Sequence, residues 1–326
     1  MLIINQDEVK KIIPLKNSGE AVRAVEKAFR DYGNNKVQMP CKSYLYFAKD
    51  NGDLRIMPSY SIPLGITGTK IVNVHPNNPK KGLKTVMASI ILNDPKNGMP
   101  IALMDGTYIT AMRTGAASGV ATKYLARKNV KTLGVVGAGE QAITQIMSIL
   151  QTRKIKEIYV FDLDPGKIKK LANILKKEGV LIKRAESLKH AVGQDVVATT
   201  TPVRKPIIKK EWILPGTHIN AIGADAEGKE ELDPEILKSA KIVIDDWAQA
   251  SHSGEINVPL KKGMIKEKDI YGRLGDIVAG KKKGRVNDKE ITVFDSTGLG
   301  VQDLYTANLV LKLAENKKIG KKIKII

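Results

Sequence analysis

The 326-residue sequence predicts an α/β protein, with a doubly wound parallel sheet in one domain and a largely antiparallel sheet in a second domain of α+β type. Three observations predict it. From residue 132 onward, short apolar runs ("TLGVVG", "EIYVFD", "DVVATT", "THINAIG", "KIVIDD", "ITVFDS") alternate with helical stretches, the pattern of a parallel sheet with crossover helices. Before residue 106 the apolar runs meet instead at Asn-Gly turns, in "KDNGD" and "DPKNG", which signal antiparallel hairpins. The length suits about two domains.

The elements follow in order. Residues 7–33 read as one amphipathic helix, with Asp7 as a cap and Val22, Val25 and Phe29 at helical spacing. Residues 42–60 alternate around "KDNGD". Residues 66–74 form the next strand, with Ile66, Gly68, Lys70, Val72 and Val74 on one face. Lys70 thus falls on the more apolar face. Two readings are open there. The lysine lies at a strand end and snorkels to water, or it is a buried group with a lowered pKa and a chemical task. Residues 85–105 make a second hairpin. Residues 107–127 form a helix dense in Ala and Gly, expected to kink near Gly115. The doubly wound sheet follows, and residues 303–326 read as a helix and a short apolar tail. The expected domains are 1–113, with 303–326 returning to it, and 114–302.

Lys plus Arg number 54 against 34 Asp plus Glu, a net charge of +20. The lysines are spread along the chain, aromatic content is 5%, and no aromatic–basic interleaving or DNA-binding motif spacing occurs. A solvated basic surface accounts for the charge, and no nucleic-acid partner is expected. The single cysteine, Cys41, excludes an intrachain disulfide framework. The amino terminus lacks a signal-peptide pattern and no apolar run reaches membrane-span length, so a soluble cytoplasmic protein without membrane partners is expected. There is no Cys/His spacing for zinc, and His75 and His252 stand alone.

"TLGVVGAGEQA" (132–142) reads as strand, glycine turn and helix start. Gly137-x-Gly139-x-x-Ala142 matches the dinucleotide fingerprint of a Rossmann-type domain. One glycine permits the tight turn, the second lets a pyrophosphate approach, and the small third residue lets helix pack on strand. Asp162 ends the next strand, 20 residues after Ala142. An acid there binds both ribose hydroxyls and repels a 2′-phosphate, which favours NAD. Three further strand ends carry small polar residues: Thr199-Thr200-Thr201, Gly223-Ala224-Asp225 and Asp295-Ser296-Thr297-Gly298. Each reads equally as an ordinary turn or as ligand lining, since the ligand crevice of such sheets lies at the carboxyl ends of the strands.

These segments, with "QMPCKSYLYF", "GTKIVNVHPNNPKKGLKTVMA", "MDGTYITAMRTGAASG", "NAIGADAEGKEELD" and "FDSTGLGVQD", make the chain resemble the ornithine cyclodeaminase/mu-crystallin family over essentially its whole length. The resemblance implies a Rossmann domain joined to a substrate-binding and dimerisation domain, and a homodimer. It also implies NAD(H)- or NADP(H)-dependent chemistry on amino acids, keto acids or imines. The first expectation is oxidative deamination of a small amino acid such as L-alanine. Ornithine cyclodeamination, ketimine reduction and cofactor-dependent ligand binding without turnover are alternatives. Position by position, Lys70 matches the proton-transferring lysine and Asp225 the acid that activates water or removes a proton. Lys42, Arg55 and Arg113 match groups that face the substrate carboxylate, Arg113 also lying near the cofactor phosphates. Thr85, Gly137, Ala138, Gly139, Glu140, Gln141, Asp162, Thr200, Ser296 and Thr297 match dinucleotide contacts.

Overall fold

The computed structural model describes residues 1–325. The chain opens with β1 (Leu2–Ile4) and α1 (Gln6–Ile12). Asn5, not Asp7, caps α1, in a capping box whose other member is Glu8. The single helix expected over 7–33 is two. Pro14 and a short 3-10 turn at Leu15–Asn17 separate α1 from α2 (Ser18–Gly33), because proline has no N–H for the ladder and disfavours helix in the residue before it.

The antiparallel region follows as β2 (Val37–Gln38), β3 (Ser43–Phe47), β4 (Gly52–Ser61), β5 (Ile66–Val74), β6 (Val86–Asn93) and β7 (Pro100–Asp105). Asn51 adopts φ +47 between β3 and β4, the left-handed geometry that Asn tolerates in tight hairpins. Then α3 (Thr107–Leu125) runs as one uninterrupted helix. Gly115 does not break it. A Cβ at Gly115 would lie 2.2 Å from the carbonyl oxygen of Thr144, so the glycine serves close approach of backbones.

The second region alternates strand and helix: β8 (Thr132–Val136), α4 (Glu140–Leu150), β9 (Glu157–Phe161), α5 (Pro165–Lys177), β10 (Lys183–Arg184), α6 (Leu188–Val192), β11 (Val196–Thr199), β12 (His218–Ala221), α7 (Pro234–Ser239), β13 (Lys241–Ile244), α8 (Trp247–Ser253), α9 (Asn257–Lys261), β14 (Ile270–Arg273), α10 (Leu274–Val278) and β15 (Thr292–Asp295). The eight strands are all parallel, in the order β10-β9-β8-β11-β12-β15-β13-β14. The winding reverses between β8 and β11, which is the switch point where open α/β sheets bind ligands. Val136, Val197, Ile219, Ile236, Ile242 and Val293 belong to the buried core of this unit. His218 is buried there between Thr292 and Asn220, and burial holds its pKa down at about 3.

The chain ends with α11 (Gly300–Lys317) and β16 (Lys321–Lys322). β16 pairs with β1, giving the first sheet the order β16-β1-β7-β6-β5-β4-β2, with β3 also on β4. Among the described residues of this sheet, only β1 and β7 pair in parallel. The chain thus divides into two compact units, Met1–Arg113 with Leu299–Ile326, and Thr114–Gly298. In the first unit α11 packs on α2 and across β4, β5 and β6. No described helix is long and apolar enough to cross a membrane.

Candidate functional site

Lys70 sits at the centre of β5, opposite Met57 on β4 and Ile90 on β6. It is 2% exposed. The strand-end, snorkelling reading is therefore corrected: Lys70 lies mid-strand, with paired strands on both sides and α11 packed across the sheet, and its ammonium is buried. Its partner is Asp303, in the first turn of α11, at 2.8 Å from Lys70 Nζ to Oδ2. The other carboxylate oxygen, Oδ1, accepts from Arg113 Nε at 3.0 Å, and Arg113 Nη1 donates to Gln302 Oε1 at 3.2 Å. Burial, the charge of Arg113 and then that of Lys42 lower the Lys70 pKa, while Asp303 raises it. The outcome is about 7.

Lys42 and Arg55 are also buried. Arg55 lies opposite Tyr44 and Val72, hence on the same sheet face as Lys70. Its Nε and Nη2 bind the two oxygens of Asp53, at 2.7 and 3.2 Å, and its guanidinium lies 5.5 Å from the Tyr44 ring. Thr85 immediately precedes β6, and its carbonyl accepts the His75 N–H at 2.8 Å. The first unit thus gathers Lys42, Arg55, Lys70 and Arg113, four buried cations with two carboxylates, Asp53 and Asp303, set directly against them. Such a set suits a carboxylate-bearing ligand.

In the second unit, Gly137 closes β8 with φ +96, and a Cβ there would meet Thr200 Oγ1 at 2.7 Å. Gly139 is the N-cap of α4 and supplies no side-chain cap. A Cβ at Gly139 would meet nothing within 4 Å. The N-terminal N–H groups of an eleven-residue helix therefore open onto space beside the switch point, which fits a pyrophosphate. Asp162 accepts from the Ala138 N–H at 2.8 Å and the Asp164 N–H at 2.9 Å. It ties the glycine turn to the end of β9, and a carboxylate retains acceptor capacity for ribose hydroxyls. Thr200 Oγ1 donates to the carbonyls of Val136 and Gly137. Ala224 is buried and the half-exposed Asp225 pairs with Lys229 at 2.6 Å. Ser296 is buried, with no hydrogen-bond partner for its Oγ among the described residues. Thr297 donates to Asp245 through both its N–H and its hydroxyl. Among the described residues no cluster of three His, Cys, Asp or Glu could hold a metal ion.

Three residues escaped the sequence reading. Asp303 ends the quoted "FDSTGLGVQD", where an acid in a helix's first turn reads as a dipole complement. Only the demand of a buried lysine for a counter-ion would have pointed to it. Glu231 is one of several acids in "EGKEELD" with nothing to single it out. Yet its buried carboxylate accepts from Thr199 Oγ1 (2.5 Å), Thr201 N (2.7 Å), Thr201 Oγ1 (2.5 Å) and Gly223 N (2.9 Å). It clamps the loops after β11 and β12 together. Burial raises its pKa against those donors, and burial together with the Glu231 charge raises that of Glu255 beneath it. Asp245 performs the same task for the loop after β15, accepting from the N–H groups of Thr297 and Gly298 at 2.6 and 2.8 Å.

The family model described as "Ornithine cyclodeaminase/mu-crystallin family" matches residues 3–318. The chain belongs to this family. Within it, the chain is 50% identical over 323 residues to an alanine dehydrogenase of Archaeoglobus fulgidus, covering 99% of this chain and 98% of that one. A solved archaeal alanine dehydrogenase dimer with bound NAD superposes with a TM-score of 0.94 at 49% identity, covering 100% of this chain and 99% of that one. The Δ1-pyrroline-2-carboxylate reductase of Thermococcus litoralis, solved with NADH and L-proline, gives 0.95 at 43% identity, covering 99% and 100%. This family member therefore has relatives of more than one substrate class.

Proposed function

We propose that the protein is an NAD-dependent amino-acid dehydrogenase that oxidatively deaminates L-alanine to pyruvate and ammonia and runs the reverse reaction. The observation that carries the reading is Lys70, an amine buried mid-strand between the Asp303 carboxylate and the charges of Arg113 and Lys42, with its pKa lowered to about 7, where one group serves as acid and as base. The 50% identity to an alanine dehydrogenase supports alanine, and the NAD in a solved relative supports the cofactor. Gly137, Ala138, Gly139, Glu140 and Gln141 would hold the pyrophosphate, and Asp162 the adenosine ribose. Thr85, Thr200, Gly223, Ala224, Ser296 and Thr297 would supply further dinucleotide contacts. When bound, NAD accepts hydride from the substrate α-carbon. Lys42, Arg55 and Arg113 hold the substrate carboxylate. Lys70 takes the proton that the substrate ammonium must lose before its nitrogen lone pair can drive hydride out. Asp225 receives the proton of the water that adds to the resulting imine, and the carbinolamine then releases ammonia and pyruvate.

The Thermococcus relative favours a second reading, reduction of a cyclic imino acid. It uses the same cations and Lys70 but adds no water, so it makes Asp225 dispensable. An assay of NADH formation across L-amino acids, with Δ1-pyrroline-2-carboxylate tested for reduction and ornithine for conversion to proline, separates them. Alanine should be the preferred substrate. Proline from ornithine without net NADH, or a preference for the cyclic imine, would overturn the first reading.

We also propose a homodimer formed through the outer face of the antiparallel sheet. Leu45, Ile56, Ile71 and Met87 share that face and are exposed. Such an apolar patch marks an interaction surface, and the solved archaeal relative is a dimer.

A further inference from the structure

We propose that Asp303 is the positioning residue of the acid–base step, a single carboxylate from the carboxyl-terminal helix that aims both Lys70 and Arg113. The proposal rests on the reading of Lys70 as the proton-transferring group. Each Asp303 oxygen serves one cation, Oδ2 at 2.8 Å from Lys70 Nζ and Oδ1 at 3.0 Å from Arg113 Nε. Gln302 takes Arg113 Nη1 at 3.2 Å, so neighbouring residues fix two of the three guanidinium nitrogens and hence its plane. The carboxylate is itself held. Ser59 on β4 donates to the Gly300 carbonyl at 3.1 Å, and the Tyr305 hydroxyl sits between Ser61 (2.7 Å) and Asp31 (2.6 Å). Helix α11 is pinned on both sides of Asp303, which is 1% exposed. A pair kept for stability alone would lose little on replacement by apolar groups. Here a second cation shares the carboxylate, and Lys42 adds a third positive charge facing Lys70. Asp303 is the acid that lets the Lys70 ammonium persist at neutral pH amid those charges. This also assigns a task to the return of the chain's end to the first unit: it delivers the carboxylate.

The test follows the Lys70 ζ-nitrogen by 15N NMR through a pH titration, with Lys70→Met assigning the signal. Four proteins are compared: wild type, Asp303→Asn, Arg113→Met, and the double variant. Asp303→Asn should lower the Lys70 midpoint by about one to three pH units, the effect of one close opposite charge. Arg113→Met should raise it, and the double variant should fall below Arg113→Met. If Asp303→Asn does not fold with two uncompensated cations, the comparison of Arg113→Met with the double variant measures the same effect. The pH dependence of turnover should move down with the midpoint. An unchanged midpoint on removal of Asp303 in either background overturns the proposal. So does a midpoint that moves while the turnover profile stays put, because the pairing then has no part in catalysis. The NMR readout needs no substrate. Absence of dehydrogenase activity on every substrate would therefore count against the functional reading separately.

Discussion

Replacing Lys70 with Met keeps the stem's bulk and apolarity but removes the ammonium. If Lys70 moves the proton, turnover falls by about 10²–10⁴, the range for a lost acid–base group. NADH affinity should hold, because the fingerprint that would bind the dinucleotide lies in the other unit. Lys70→Arg should not rescue, since a guanidinium stays charged. The wild-type pKa of about 7 sets the pH profile. The oxidative direction needs the neutral amine and should rise through about pH 7; the reductive direction needs the ammonium and should fall through it. Stability carries a second signature. The Lys70 pKa is lowered on folding from 10.5 to about 7, so between those values the unfolded chain binds a proton that the native chain has released. Stability from this group is therefore absent below pH 7 and grows as pH rises toward 10.5. Between pH 6 and 9 the gain is about 3 kcal/mol by linkage. Lys70→Met should flatten that increment in urea titrations at the two pH values. The decisive assay is kcat in both directions against pH, beside NADH affinity. Near-wild-type kcat in Lys70→Met would remove Lys70 from the mechanism.

NAD(H) should be preferred to NADP(H), since Asp162 opposes a 2′-phosphate and the exposed Leu163 offers no cation to bind one. Asp162→Ala with Leu163→Arg should shift the ratio of kcat/KM values toward NADP by roughly tenfold or more, about 1.4 kcal/mol; wild-type efficiency equal with both cofactors would refute this. Ile71→Glu, on the exposed apolar sheet face, should yield monomers by light scattering at micromolar concentration, and an unaltered mass would place the interface elsewhere. Arg55→Lys should chiefly raise KM for the keto acid and leave kcat nearly intact; a large kcat loss at constant KM would contradict a carboxylate-holding role. Gly115→Ala should destabilise by about 1–3 kcal/mol through overpacking against Thr144, measured by chemical denaturation, despite alanine's better helix propensity; a gain in stability would show that the backbones part at no cost.

Local sequence patterns set the secondary-structure elements of this chain. The six apolar runs after residue 132 are strands because strands buried on both faces read as continuous apolar segments. The hairpins form where Asn-Gly turns permit them. Gly137, Gly139 and Asp162 stood out because the dinucleotide fingerprint sets residue type at fixed spacing, and the structure gives Gly137 the positive φ of the tight turn and ties Asp162 to it through the Ala138 N–H. The alternation around Lys70 placed it on the apolar face, but not whether that face was covered. Tertiary structure decided what needs partners from afar. Asp303 lies 233 positions from Lys70 in the chain, and no periodicity links them. Glu231 clamps two loops that only the sheet order brings together. The strands β10 and β14 were missed because short edge strands carry little apolar signal. Pairing energy, not propensity, makes them strands. Charge pairing between remote residues is set by the packing of α11 on the sheet. That packing turned an ambiguous lysine into a buried amine with its pKa near neutrality.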